Sequence, residues 1–182
     1  MNVTNIEELQ KEIQKLFGIL GDNINDDYYP RNARGEILHF EKWETVTFDS
    51  PIGDATPFIE MKNGQFNFLI SERGEEYKRI VGNADKIIFL LFEGITFSLA
   101  SKFESNNRIY EQDSRRILFS KQIELLGLLS PEWASSEIEN HQRILQQHPF
   151  DDSSAIRVEY SKIHGWDKAC EKYPLPESSS PL

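Results

Sequence analysis

The sequence has little cysteine and no apolar stretch long enough to cross a membrane. Cys170 is the only cysteine among 182 residues, which leaves no partner for an internal disulfide or a thiolate metal site. The longest apolar run, residues 87–100, is interrupted by Glu93 and is shorter than the roughly 20 residues of a spanning helix. The first ten residues contain neither the basic nor the apolar segment of a secretion signal. We therefore expect a cytoplasmic protein.

Positive charge is also scarce. Twenty Lys and Arg face 30 Asp and Glu, for a net charge of -10. Residues 1–60 hold 12 acids and 5 bases, whereas residues 61–182 hold 18 and 15. Because phosphate contacts supply most of the affinity for nucleic acids and anionic membranes, this balance argues against both as ligands. It favours a basic protein partner, or serves only solubility.

The chain is long enough, and aromatic enough, to build a core without disulfides or metal. It contains 12 Phe and 3 Trp, a composition typical of globular proteins. We expect residues 1–152 to form a single α+β domain. Residues 153–182 then form a C-terminal extension with at most one more short element, and its last roughly ten residues, rich in Pro and Ser, are expected to be disordered.

The first part of the chain predicts a helix followed by a loop and a strand. Thr4 and Glu7 have the spacing of a capping box, so an amphipathic helix should begin there. Apolar residues then recur at helical spacing as far as Leu20. Residues 21–36 lack periodicity and are rich in turn formers, which predicts a surface loop. Residues 37–48 are rich in aromatic and β-branched residues and predict one strand or two short ones.

The middle and end of the chain predict a small sheet followed by helices. Asn63-Gly64 within residues 56–72 is typical of a type I′ turn between two strands. With the preceding strand, this hairpin should form an antiparallel meander. From Glu75 onward the periodicity becomes helical. We expect a three-helix C-terminal layer packed on the sheet, with helices over residues 85–103, over 113–129, and from Pro131 after an N-cap at Ser130.

Glu93 is an acid in the most apolar of these helices. Arg115 projects from the apolar face of the next helix when residues are placed 100° apart. Because an unpaired buried charge is very costly, we expect Glu93 and Arg115 to form a structural ion pair. A catalytic role for Glu93 would need a neighbouring acid, base or metal. In the ion-pair interpretation, Gly94 allows the helices to approach closely.

Linear motifs of catalysis and cofactor binding are missing. The chain has no Gly-rich phosphate loop, nucleophile elbow or H-E-x-x-H sequence, so we expect no enzyme activity, no cofactor and no metal. An alternative is a small metal-dependent hydrolase that uses His141, His148, Asp151 and Asp152, although their spacing matches no dedicated site. A third possibility is a regulatory adaptor that acts through its C-terminal tail.

Acidic and aromatic residues occur together between Gly21 and Asp54. Aromatic anchors surrounded by charge are typical of protein interfaces. The alternative is that the aromatic residues pack on the sheet and the acids are a solvated rim. The candidate partner-binding residues are Asp22, Asp26, Asp27, Tyr28, Tyr29, Glu36, Glu41, Trp43, Glu44 and Asp54.

Four segments of the chain form a recognisable series, "IEMKNGQFNFLISERGEE", "IIFLLFEGITFSLA", "RIYEQDSRRILFSKQIELLGLLSPEW" and "ILQQHPFDD". Together they resemble the immunity protein 63 family of bacterial polymorphic toxin systems, and the resemblance spans roughly residues 5–152. Shared elements include Glu93, Asp113, Arg115, Arg116 and the final "HPFDD", which we interpret as residues that maintain the fold. Residues 31–55 and 153–182 depart from the pattern.

The resemblance implies an α+β protein that is encoded beside a toxin. Such a protein binds the C-terminal effector domain of the toxin in the cytoplasm and neutralises it without catalysis. Combined with the acidic excess of residues 1–60, the resemblance leads us to expect a basic toxin domain, such as a nuclease, as the partner.

Overall fold

A computed structural model describes residues 3–29, 31–40, 46–48, 57–73 and 75–177. Within these residues the chain forms six α-helices, one 3-10 turn and four strands, which confirms the predicted α+β class. In chain order they are α1 (Ile6–Asn23), the 3-10 turn (Asp26–Tyr28), β1 (Thr47–Phe48), β2 (Phe58–Lys62), β3 (Gln65–Glu72), β4 (Glu75–Gly82), α2 (Ala84–Asn106), α3 (Ser114–Leu129), α4 (Pro131–Gln147), α5 (Ser154–His164) and α6 (Trp166–Lys172).

The chain divides into two compact units, residues 1–99 and residues 100–182. The boundary falls within α2, and each unit is described by itself. None of the helices in the described residues is both long and apolar enough to cross a membrane.

Helix α1 begins one residue later than the capping-box pattern predicts. Asn5 is the N-cap, and its side-chain oxygen accepts a hydrogen bond from the backbone N–H of Glu8 at 2.9 Å. The Glu8 carboxylate accepts in turn from the backbone N–H of Thr4 at 2.7 Å. The prediction that Thr4 and Glu7 form the cap was therefore wrong, because Asn is at least as good an N-cap as Thr. The buried face of α1 consists of Leu9, Ile13, Leu16, Phe17 and Leu20.

The four strands form one sheet in the order β1-β2-β3-β4. The predicted hairpin is confirmed, since Asn63 and Gly64 connect β2 to β3 with φ values of 54° and 73°. Two predictions about the sheet were wrong. Strand β1 runs parallel to β2, so the sheet is mixed and not an antiparallel meander. Residues 75–82 form β4, antiparallel to β3, where the periodicity predicts a helix; pairing with β3 overrides that local pattern.

Helix α2 contributes more buried apolar residues to the first unit than any other described element, as its apolar sequence predicts. Ile87, Leu91 and Phe92 are at most 3% exposed. Phe92 contacts Phe17 of α1 with a ring-centroid distance of 5.1 Å. Gly94, in contrast, is exposed, and no described atom lies within 4 Å of a Cβ built on it. Close helix approach therefore does not explain this glycine.

In the second unit, α3 packs against α4, and α5 packs against α6. Helix α4 begins as predicted, with Ser130 accepting from the backbone N–H of Trp133 and a proline in the first turn. Its buried face contains Glu137, whereas the apolar Ile138 is 39% exposed. Glu137 can be buried although it is polar, because its carboxylate pairs with His141 of the same helix.

Candidate partner-binding surface

The 3-10 turn after α1 presents two carboxylates to solvent. Asn25 caps the turn by accepting a hydrogen bond from the backbone N–H of Asp27 at 3.1 Å. Asp26 and Asp27 are both exposed, and the Asp26 side chain has 64% of its surface accessible. Nε2 of His39 lies 3.8 Å from the Asp26 carboxylate, so the two form an ion pair only when His39 is protonated. The turn therefore holds its acidic side chains outward on a backbone capped by Asn25.

Tyr29 immediately follows the turn, but it belongs to the core. It is 5% exposed, and its ring packs edge-on against Phe40 at a centroid distance of 5.0 Å and against His39 at 4.7 Å. Burial, with a smaller effect from the nearby Asp26 charge, raises the pKa of the Tyr29 hydroxyl. The interpretation of Tyr29 as a surface anchor was therefore wrong. Tyr29 is one of the aromatic residues that pack inside the protein and do not face a partner. Tyr28 is half-buried.

The remaining candidate residues divide into exposed acids and positions outside the described residues. Asp22 is exposed at the end of α1. Glu36 is exposed in a tight turn, where its carboxylate accepts a hydrogen bond from the Asn32 side chain at 2.7 Å. Arg31 and Arg34 lie in the same turn, so the surface is not uniformly acidic. Glu41, Trp43, Glu44 and Asp54 lie outside the described residues.

The alternative metal site is not assembled. The Asp151 carboxylate is bound by Arg157, and the Asp152 carboxylate is bound by Arg116. His148 is exposed, and its carbonyl accepts a hydrogen bond from Arg115. Among the described residues, no three His, Cys, Asp or Glu side chains are grouped so that they could hold a metal ion. His141, His148, Asp151 and Asp152 are therefore not assembled into the metal site that the hydrolase alternative needs.

His141 instead lies in a small buried polar cluster between α3 and α4. It is 5% exposed, and Phe119 stacks on its ring at a centroid distance of 3.8 Å. Its Nε2 lies 2.7 Å from the Glu137 carboxylate and 3.2 Å from the side-chain oxygen of Gln122. Because both neighbours are acceptors, we assign the ring hydrogen to Nε2. Nδ1 has no hydrogen-bond partner in the described part of the chain. This histidine is a core residue.

Arg115 has its hydrogen-bond partners at the start of α3 and in the segment after α4. Its guanidinium donates to both carboxylate oxygens of Asp113, at 3.0 and 2.7 Å, and to the carbonyls of His148 and Pro149, both at 2.8 Å. Glu93 is half-buried. The ion pair between Glu93 and Arg115 stays a prediction.

Asp113 organises this junction. Besides the hydrogen bonds from the Arg115 guanidinium, its carboxylate accepts hydrogen bonds from the backbone N–H groups of Arg115, at 2.9 Å, and of Asp151, at 2.7 Å. Burial by itself raises the pKa of the Asp113 carboxyl, but these hydrogen bonds and the Arg115 charge outweigh burial and lower the pKa to about 2. Asp113 therefore binds the start of α3 to the "HPFDD" segment that follows α4.

Sequence reasoning missed Arg157. This side chain is 2% exposed and donates to both oxygens of Asp151, at 2.6 and 2.8 Å. It also donates to the carbonyls of Tyr173, at 2.6 Å, and Pro174, at 2.9 Å. Arg157 thus joins α5, the "HPFDD" segment and the residues after α6. The domain boundary at residue 152 stays a prediction, but this hydrogen-bond network crosses it.

Residues 62–143 match the family model of immunity protein 63. This match confirms the resemblance and indicates an immunity protein of toxin systems. It is shorter than the resemblance, which spans roughly residues 5–152. It includes Glu93, Asp113, Arg115 and Arg116 but not the "HPFDD" segment, and all ten candidate partner-binding residues lie outside it. No curated protein and no solved structure shows a significant match to the chain.

Proposed function

We propose that this chain is a cytoplasmic immunity protein that forms a one-to-one complex with a basic toxin domain and neutralises it without catalysis. The match to immunity protein 63 supports the class, since such proteins act on toxins. The charge supports the chemistry of the partner. The protein carries a net charge of -10, and residues 1–60 hold 12 acids against 5 bases.

The acidic turn, Asp26 and Asp27, is the proposed centre of the interface. Both carboxylates are exposed on the 3-10 turn that Asn25 caps, and Asp22 is exposed nearby in sequence. Opposite charge on the two partners would speed their encounter and exclude partners of the wrong charge. We include Tyr28, Glu36, Glu41, Trp43, Glu44 and Asp54 in the proposed interface, and we leave Tyr29 out because it is buried.

A nuclease is the toxin class that this surface fits best. Nucleases bind a polyanion, so their substrate-binding surfaces are rich in Lys and Arg. An acidic inhibitor is complementary to such a surface, whether it covers the active site or binds beside it.

Reconstitution with the neighbouring toxin tests the proposal. The C-terminal domain of the toxin encoded beside this gene would be purified with this chain, and the mass of the complex and its residual nuclease activity would be measured. We expect a one-to-one complex in which toxin activity falls to background at equimolar ratio. Failure of the purified proteins to bind each other at micromolar concentration would reject the proposed function.

A further inference from the structure

The second unit contains an open groove next to the end of α2. It has a volume of about 580 Å³. One wall is formed by Arg108, Ile109 and Tyr110 of the α2–α3 connection, and the opposite side by Ser154 and Ala155 of α5. Asp113, Arg115 and Asp151 also line it. We call this feature the Arg108 groove.

Two ion pairs at the Arg108 groove have the cation outward, whereas in a third the lining Asp151 side chain is 18% exposed and its partner Arg157 is 2% exposed. The Glu104 carboxylate, below the wall, is 5% exposed, while the Arg108 side chain that binds it is 61% exposed. The same order holds deeper in the groove, where the Asp113 side chain is 8% exposed and its partner Arg115 is 28% exposed. Each pair is neutral as a whole, but Arg108 is the most exposed charged residue of the lining, so a ligand at this position meets the guanidinium side of its pair.

Arg108 retains hydrogen-bonding capacity toward solvent. It uses Nε and Nη2 to bind the two oxygens of Glu104, at 2.7 and 2.8 Å. A guanidinium has five N–H donors, so at least two more are available to a carboxylate from outside. Because Glu104 already fixes the side chain, a second carboxylate would bind it at little further cost in side-chain entropy.

Apolar surface lies directly beside this cation. Ile109 and Tyr110 are each 52% exposed. The Tyr110 hydroxyl donates a long hydrogen bond, at 3.3 Å, to the Ala155 carbonyl and so links the α2–α3 connection to α5. A ligand that matches both features carries a carboxylate next to an aliphatic or aromatic side chain. The nearby Asp152 is already bound by Arg116 at 2.8 and 2.9 Å.

We propose that the Arg108 groove is a second contact site for the toxin domain and binds an acidic segment of it in which a carboxylate neighbours an apolar side chain. This inference rests on the proposed function. The groove wall at residues 108–115 lies inside the stretch that matches immunity protein 63, whereas the acidic turn lies outside it.

A matched pair of substitutions at Ile109 tests both the location and the sign. Ile109→Glu and Ile109→Lys remove the same apolar contact but add opposite charges at the groove wall. The control pair is Ile163→Glu and Ile163→Lys, at an 80% exposed position that does not line the groove. The Kd of the purified toxin domain would be measured for all four variants and the wild type, with melting temperatures to confirm folding.

We expect both Ile109 variants to bind more weakly than the wild type, Ile109→Glu by at least about tenfold more than Ile109→Lys. The Ile163 variants should differ from each other by less than about threefold. Equal Kd values for the Ile109 pair and the wild type, or weaker binding by the Lys variant, would overturn the groove proposal and leave the proposed function intact. Absence of binding by the wild type would reject both.

Discussion

The Arg157 guanidinium binds both carboxylate oxygens of Asp151, and the same group donates to the carbonyls of Tyr173 and Pro174. A buried arginine can be retained only if its donors are satisfied, since desolvating the charge is costly. Here the partners come from two segments of the second unit, the "HPFDD" segment and the residues after α6. The C-terminal helices are therefore attached to the "HPFDD" segment by a charge that neither side could bury alone.

Substitution of Arg157 should strongly destabilise the protein. Arg157→Met keeps an apolar side chain of similar length but leaves Asp151 without its partner and two carbonyls without donors. We expect the free energy of unfolding to fall by about 3–5 kcal/mol. Arg143→Met, at an exposed position of α4, is the control and should change it by less than about 0.5 kcal/mol. Urea denaturation measures both, and similar effects of the two substitutions would contradict the role of Arg157.

Asp113 should make the free energy of unfolding depend on pH in the acid range. Its folded-state pKa is about 2, below the ordinary value of 3.8, so its stabilisation is complete above the unfolded-state pKa and is lost as pH falls through about 2. The shift corresponds to about 2 kcal/mol at neutral pH. Asp113→Asn keeps an N-cap but removes the charge. We expect wild type and variant to differ by about this amount at pH 7 and by much less near pH 2, as measured by urea denaturation. A difference that does not change with pH would contradict this assignment.

Tyr29 and Tyr28 should respond differently to truncation, although they are adjacent. Tyr29 is 5% exposed and packs against Phe40 and His39. Tyr29→Ala should lower the free energy of unfolding by about 3 kcal/mol or more, the usual cost of removing a buried aromatic ring. Tyr28→Ala should cost clearly less, because Tyr28 is half-buried. Thermal and urea unfolding compare the two, and equal losses would show that Tyr29 is not the better-packed ring.

The parts of the fold that could be predicted are those fixed by residues close in sequence. The Asn63-Gly64 turn and the Ser130-Pro131 helix start depend on backbone preferences of two or three neighbouring residues. Strand β4 could not be recognised in the same way. Its charges and apolar residues fit a helical period, and its conformation is decided by hydrogen bonds to β3, which a local pattern does not contain.

The candidate partner-binding surface could likewise be predicted only where the deciding residues are close in sequence. The exposure of Asp26 and Asp27 could be predicted because both are charged and stand among turn formers. The burial of Tyr29 does not, because it depends on Phe40, eleven positions further along the chain. For Arg157 the available signal is an arginine between Ile156 and Val158 with acids at residues 151 and 152. That signal gives no hint of its carbonyl partners after α6.

The predicted ion pair between Glu93 and Arg115 can be tested by a double-mutant cycle. Arg115→Gln alone should destabilise the protein, since it removes donors to Asp113 and to two carbonyls. Glu93→Gln should lower stability only if the carboxylate has a cationic partner. A coupling free energy above about 1 kcal/mol between the two substitutions would support the pair. Additivity within about 0.5 kcal/mol would show that Arg115 stabilises the protein without Glu93, through Asp113 and the two carbonyls.

Charge reversal at the acidic turn should slow association with the toxin. Asp26→Lys together with Asp27→Lys changes the net charge by four, and so does the control pair Glu139→Lys with Glu171→Lys, both exposed and in the second unit. If the turn faces the basic toxin, its reversal should lower the association rate constant by about tenfold at low salt, and by more than the control.

The dissociation rate should change less, because exposed rim charges act mainly on encounter. Stopped-flow measurements at two salt concentrations separate attraction by the turn itself from a general effect of net charge. Screening shortens the range of attraction to about 10 Å at 0.1 M salt. The association rate constant of the turn variant should then depend less on salt than that of the control variant. Equal slowing by both pairs would mean that net charge alone steers the partners, and would remove Asp26 and Asp27 from the interface.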